Sequence, residues 1–383
     1  MNTQRLTLLN ARAGAAAVAG LGFAALLGAS AAVAAPPPGR AVAYVITDRI
    51  EAIYHATDKD GKETKAECPN GVNEYGPRER FAALFPQDGP KKWTLEETVL
   101  ASEAEIWAPT TKPEPVLLPE AGGKISYGLN LDGKVKPTDF TSPDGVTGID
   151  NQFFRAVGCM KAFREGSSQR LFLEEYLENK NFNRFIIALT DVDSMEDDDD
   201  VTVTTYRGMD RLVKDTLAHF QADATQRVDL RWGQGFITKS KAKIVKGVLI
   251  TTEPVDDLIY PGENHSNTAT DRMRGARFQL KLHGDRMEGL MAGYLDVETT
   301  HLAMNRRFGA HQITYDLTWS PAMYKSMRRL ADGYPDPKTG ENTAISAAVS
   351  LEGVRVHLLF PDDKAPDGKA ARPKQIAANT GSR

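Results

Sequence analysis

The chain of 383 residues contains only two cysteines, Cys68 and Cys159, and neither stands in a CxxC or CxxCH setting. That removes CxxC-type redox catalysis and covalent haem attachment from consideration. Past residue 34 no apolar run approaches the ~18 residues that a membrane-crossing helix needs. No GxSxG, phosphate loop or GxGxxG follows that point, so lipase-type serine chemistry, nucleotide hydrolysis and dinucleotide binding lack support. The seven histidines show no HExxH or HxH spacing, and the four tryptophans are scattered rather than clustered as a sugar platform. Neither sign of charge dominates. With 47 basic and 51 acidic residues, interspersed, the chain offers no electrostatic case for nucleic acid or an anionic membrane.

What is present begins with an address. Residues 1–34 carry Arg5 and Arg12, no acidic residue, an Ala- and Gly-rich apolar stretch and an Ala32-Val33-Ala34 cleavage signature. This is the pattern of a signal peptide, and it places the protein in the periplasm or outside the cell. No Arg-Arg pair precedes the stretch and no Cys follows it, which favours general export without a lipid anchor. The leader holds two of the basic residues and none of the acidic ones, so the remaining 349 residues carry a net charge of −6. In an oxidising compartment the two cysteines are expected to form one disulfide, Cys68–Cys159.

Between the leader and a polar tail at 362–383, expected to be disordered, lies a region 35–361. It reads as one large domain, or two with a break in the proline-rich stretch near 109–123. Its pattern is mostly β. Ala41–Ala56, Lys124–Leu131, Asn183–Thr190, Val201–Tyr206, Gln226–Arg231, Lys243–Thr252 and Ile313–Trp319 alternate or run apolar as strands do. Arg277–His283 and Met287–Val297 form a hairpin across Gly284-Asp285-Arg286. Helices are expected at Asp210–Phe220 and at Pro321–Ala331, with Ser320 as N-cap. The fold class is therefore mainly β with a few helices (α+β), an antiparallel β-sandwich or Greek-key sheet assembly.

The densest chemistry is Asp191-Val192-Asp193-Ser194-Met195-Glu196-Asp197-Asp198-Asp199-Asp200, between two strands. Carboxylates on a loop suit calcium, which takes six to eight oxygen ligands, although the spacing is not that of an EF-hand. Along a strand Asp197 and Asp199 face one way, Asp198 and Asp200 the other. A second element, Asp144 to Gln152, offers Asp150 and Asn151 as further oxygen donors. The expected metal set is thus Asp191, Asp193, Asp197, Asp199, Asp150 and Asn151, with calcium as the cofactor. The competing readings are a solvated hairpin tip and Asx turns. Glu288, Asp296 and Glu298, with Glu174-Glu175 and Asp256-Asp257, are the carboxylates from which a glycosidase pair would be drawn.

These features point to an exported non-catalytic protein that binds an envelope protein or glycan, with calcium holding the acidic loop. The rival is an extracytoplasmic polysaccharide hydrolase using paired carboxylates.

Overall fold

The computed structural model describes residues 42–73, 88–92, 119–164, 167, 184–261, 270–303 and 320–361. The leader, the tail, Trp93–Trp107, most of the proline-rich stretch, Glu174-Glu175 and Ile313–Trp319 lie outside these residues.

The strands in chain order are β1 (Val42–Glu51), β2 (Phe140–Thr141), β3 (Thr147–Ile149), β4 (Phe185–Thr190), β5 (Asp198–Arg207) and β6 (Ala224–Arg227). They continue with β7 (Thr238–Val245), β8 (Val248–Thr251), β9 (Val255–Pro261), β10 (Thr270–Leu282), β11 (Arg286–Asp296), β12 (Gly333–Pro335) and β13 (Asn342–Leu359). Helix α1 spans Gln152–Val157 and α2 spans Ser320–Leu330. Residues 297–303 are also helical.

The mainly β, antiparallel class read from the sequence is what forms. Strands β1, β4, β5, β7, β8, β10, β11 and β13 pair side by side in that order, and β13 pairs back onto β1. The path therefore closes, and its two layers are opposite walls of one eight-stranded ring. Closure leaves these eight strands without the long open edges that invite association. Strand β9 extends the place of β8 along β10, and β6 joins the end of β13 in parallel.

Alternation decides what faces inward. Tyr44, Ile46, Ile187, Leu189, Val203, Leu249, Phe278, Leu280, Met291 and Leu351 pack together inside the ring. Each such side chain contributes roughly 1.5–3 kcal/mol on burial. Strand β1 is apolar on both faces because both are covered. Ala43 and Val45 point outward and meet Ile186, Ala188, Val354 and Val356 beneath Leu212. A continuous apolar run is how a doubly covered strand reads. Gly289 sits where β10 and β11 approach: a Cβ there would lie 2.2 Å from the Gln279 carbonyl oxygen, at φ +155°.

A separate cluster holds α1, α2 and the disulfide. Phe153, Phe154, Val157, Met323 and Met327 pack with Cys68 and Cys159 against Ile345 and Ala347 of β13. The expected bridge is formed, with Cα atoms 5.6 Å apart and a sequence separation of 91.

Four local expectations change, the first at Gln226–Arg231, where β6 ends at Arg227 and a 3-10 turn begins at Leu230. Asp210–Phe220 is not helical: Lys214 and Phe220 form an isolated bridge, and the Asp215 carboxylate accepts the Leu217 and His219 amides. An Asx turn competes directly with a helix for those amides. Lys124–Leu131 is extended but makes only single bridges, Ile125 to Thr141 and Leu129 to Asp150. Lys243–Thr252 is two strands, turned at Lys246-Gly247, both at positive φ.

Candidate binding site at one end of the ring

Every second residue of β5 faces inward: Val201 and Val203 enter the inner core, then Thr205, then Arg207. Arg207 therefore carries a guanidinium into the end of the ring at which β1 finishes and β4 begins. It pairs in register with Phe185. Arg49 reaches the same interior from β1, in register with Leu351, and its guanidinium carbon lies 4.8 Å from the Tyr260 ring centroid. Tyr260 in turn packs against Phe185, with centroids 5.9 Å apart. Arg49 is served: Nη1 donates to the Pro261 carbonyl at 2.5 Å, and Nη2 lies 3.7 Å from Asp271.

Arg207 is not served in that way. It is 2 % exposed, and Nε, Nη1 and Nη2 are all buried without a hydrogen-bond partner among the described residues. What surrounds it is aromatic. After β6 the chain runs back past β5, with the Asp229 amide donating to the Arg207 carbonyl at 2.8 Å. Two short 3-10 turns, Leu230–Trp232 and Gln234–Phe236, then cross this end. Trp232 and Phe236 meet edge to face at 5.9 Å. The Arg207 guanidinium carbon sits in their corner, 4.1 Å and 4.3 Å from the two centroids.

The nearest carboxylate is committed elsewhere. Asp229 accepts Nε and Nη2 of Arg231, both at 2.7 Å, and the Trp232 indole N–H at 3.2 Å. Burial pushes the Arg207 pKa down to about 10; Asp229 works against that shift and Arg49 adds to it. The group keeps its charge at neutral pH. Each ring gives a buried cation about 2 kcal/mol, whereas desolvating a guanidinium costs several kcal/mol and leaves its N–H donors unsatisfied. The arrangement is a buried cation whose N–H donors are met by aromatic rings rather than by acceptors.

No protein-family model, curated protein or solved structure matches this chain.

The acidic loop lies at the opposite end. Val42 pairs with Leu189, just before the loop, whereas the Asn151 side chain donates to the carbonyl of Ala52, just past the other end of β1. Ten strand residues separate the two places by about 30 Å, so Asp150 and Asn151 do not share an ion with Asp191, Asp193, Asp197 and Asp199. Within the loop the carboxylates turn to the backbone. Asp198 accepts the amides of Asp193, Ser194 and Asp200; burial would raise its pKa, but these bonds hold it below the usual range. Asp197 accepts the Lys246 amide of the neighbouring turn, and Asp200 pairs with Lys241. Asp191, Asp193 and Asp199 are exposed.

Asn151 caps α1, accepting the Phe154 amide at 3.1 Å, and its amide nitrogen also bonds the Tyr127 carbonyl. Asp150 is 1 % exposed and accepts the Leu131 amide at 2.7 Å. Burial pushes its pKa up to about 6, with Asp132 and Asp139 adding to the shift. Between pH 4 and 6 the folded protein thus holds a proton the unfolded chain has lost, so stability falls as pH rises through that window. A full shift of two units is about 3 kcal/mol, and screening lowers the expected effect to about 1–2 kcal/mol. Asp150→Asn should therefore be more stable than the parent at pH 8, with the gap closing by pH 4. Thermal melts across that range check it, and a gap that persists at pH 4 would contradict the account.

Among the described carboxylates considered for hydrolysis, Asp257 and Asp296 flank β10 beside Arg272 and Arg274, and Glu288 stands apart from them. Glu288 meets His283 at 3.0 Å, eight strand residues or about 26 Å from Asp296. Asp296 caps Thr299, Glu298 accepts the Tyr324 hydroxyl, and Asp257 is paired with Arg272.

Among the described residues, one group of His, Cys, Asp or Glu brings three ligand atoms within 4.8 Å of one another: His55, Glu63 and Glu67. No motif announces it. Loop closure creates it: Thr57 bridges Glu63, the Thr64 amide donates to the Ala56 carbonyl, and the Cys68 amide donates to the Lys65 carbonyl. His55 Nδ1 then lies 3.4 Å from Glu63 Oε1. Arg164, 4 % exposed, contacts both carboxylates, with Nη2 2.6 Å from Glu67 Oε1 but off the hydrogen-bonding direction.

Proposed function

We propose that this is a non-catalytic binding protein, working outside the cytoplasm, that takes a carboxylate-bearing small ligand at Arg207. The observation that carries the reading is the buried guanidinium with no hydrogen bond from any of its three nitrogens among the described residues, set in the corner of Trp232 and Phe236. A planar guanidinium fork matches a carboxylate edge to edge, and such charge-assisted pairs are the strong ones. Trp232 and Phe236, 4.1 Å and 4.3 Å from the guanidinium carbon, would supply apolar contact for the body of the ligand. The filled ring interior favours capture at this end over carriage of cargo within the barrel. Export is supported by the leader pattern and fits the Cys68–Cys159 bridge. Calcium is not needed for this reading, since Asp198 already closes the acidic loop through backbone amides.

Trp232 is the reporter. Titration with acetate, benzoate, octanoate and inorganic phosphate, followed by tryptophan emission, should give a saturable response to a carboxylate in the parent. The response should be absent in Arg207→Met and spectrally silent in Trp232→Phe. A parent that responds to none of these anions, or an unchanged response in Arg207→Met, would end the proposal.

A further inference from the structure

The cluster beside the disulfide sets two carboxylates, Glu63 and Glu67, against one arginine, Arg164, with His55, a further cation only when protonated, 3.4 Å from Glu63. Glu67 is 3 % exposed, and neither of its carboxylate oxygens makes a hydrogen bond. Arg164 is held from behind, with Nη1 donating to the Gly158 carbonyl at 2.9 Å and Nη2 to the Thr64 carbonyl at 3.1 Å. It meets the same oxygen, Oε1, of each glutamate, which leaves both Oε2 atoms for another cation.

The donor geometry is tight. Two ligands bonded at about 2.0–2.2 Å in a tetrahedral site stand roughly 3.3–3.5 Å apart. His55 Nδ1 stands 3.4 Å from the Glu63 carboxylate at Oε1, close to that edge, and the carboxylate can turn to present Oε2 while Oε1 stays with Arg164. The backbone is set beforehand by the 56–64 loop closure and by Cys68, which is tied to Cys159 and so fixes the neighbouring Glu67.

We propose that His55, Glu63 and Glu67 bind one divalent ion of the zinc class, with Arg164 as the outer partner of the two carboxylates. One imidazole and two carboxylates favour zinc, cobalt or nickel over calcium, which takes six or more oxygens. A guanidinium bonded to ligating carboxylates is the usual outer support of such a centre, and it orients them rather than competing for the ion. The ion reverses the sign of the residual charge. It also links the 55–67 segment to Arg164 and the disulfide.

The test uses the oxidised protein, titrated with Zn²⁺ against a chromophoric chelator and with Co²⁺ by visible absorption. One ion per chain is expected. His55→Gln and Glu67→Gln should each weaken binding by about tenfold or more, the scale seen even for outer-shell changes. Asp198→Asn, in the acidic loop, should bind as the parent does. If Glu67→Gln does not fold by circular dichroism, Glu63→Gln, on the more exposed side, replaces it. Absence of stoichiometric uptake, as when Arg164 keeps the ion out, would overturn the proposal. So would uptake unchanged in His55→Gln, or displacement of zinc by an equal concentration of calcium.

Discussion

Replacing Arg207 by Met is expected to raise the unfolding free energy by about 1–3 kcal/mol while abolishing the carboxylate response. A buried charge without hydrogen bonds is a cost to folding, and an apolar side chain of similar length removes it. Methionine also keeps favourable sulfur contacts with Trp232 and Phe236, which offsets the lost cation–π attraction. For a domain of this size the gain corresponds to a rise in Tm of several degrees. The sign is the informative part. Had Arg207 been a structural residue holding the strand ends together, its loss would cost stability, as breaking a paired buried charge does. Urea unfolding of the two proteins decides it, and a destabilised Arg207→Met would return Arg207 to a purely structural role. A protein that keeps an unfavourable residue in its interior gives up stability at the place where it works.

Arg207 was not legible in the sequence, and the reason is topological. At the end of the strand VTVTTYR, one arginine reads as the point where a strand leaves the core. Its significance comes from Phe185, Arg49, Trp232 and Phe236, which ring closure and the 3-10 turns bring to it. The two-residue period, by contrast, operates locally. The β10–β11 hairpin, β4, β5 and β1 were therefore readable without knowing their neighbours. The disulfide was readable because a leader pattern that predicts export and a single cysteine pair leave one intramolecular pairing. Grouping Asp150 and Asn151 with the acidic loop required a distance that no local pattern contains, and strand β1 sets them apart. The His55, Glu63 and Glu67 group was hidden for a related reason: its spacing of eight and four residues becomes a site only once the 56–64 loop closes. The Lys124–Leu131 alternation arises in a segment with Ile125 and Tyr127 exposed and only single bridges, so alternation there marked a surface crossing rather than a ladder.

Removal of the Cys68–Cys159 bridge, by reduction or as Cys68→Ala with Cys159→Ala, is expected to lower the unfolding free energy by about 2–5 kcal/mol. The bridge closes a span of 91 residues, long enough for a large entropic effect on the unfolded chain. Among the described residues other bonds also tie the segment before β2 to α1 and its flanks, including the Ala121 amide to the Arg155 carbonyl, the Arg155 guanidinium to the Ala121 and Thr138 carbonyls, and the Asn73 amide to the Cys159 carbonyl, so the bridge adds to an existing set of contacts. Both cysteines are buried, so the paired alanines also leave a small cavity, whereas reduction keeps both sulfurs and reports mainly the lost constraint. The consequence is local as well as global. Glu67 adjoins Cys68, and Arg164 Nη1 lies 3.5 Å from the Cys68 sulfur, so the bridge-free protein should also lose zinc affinity by about tenfold. The carboxylate response at Arg207 should persist, because Phe185 and Tyr260 belong to the inner core of the ring and the bridge to the helical cluster. Denaturant unfolding measures the first effect, and metal and carboxylate titrations of the same protein measure the others. Unchanged unfolding free energy would show that the helical cluster holds itself together; loss of both ligand responses would show that the ring depends on it.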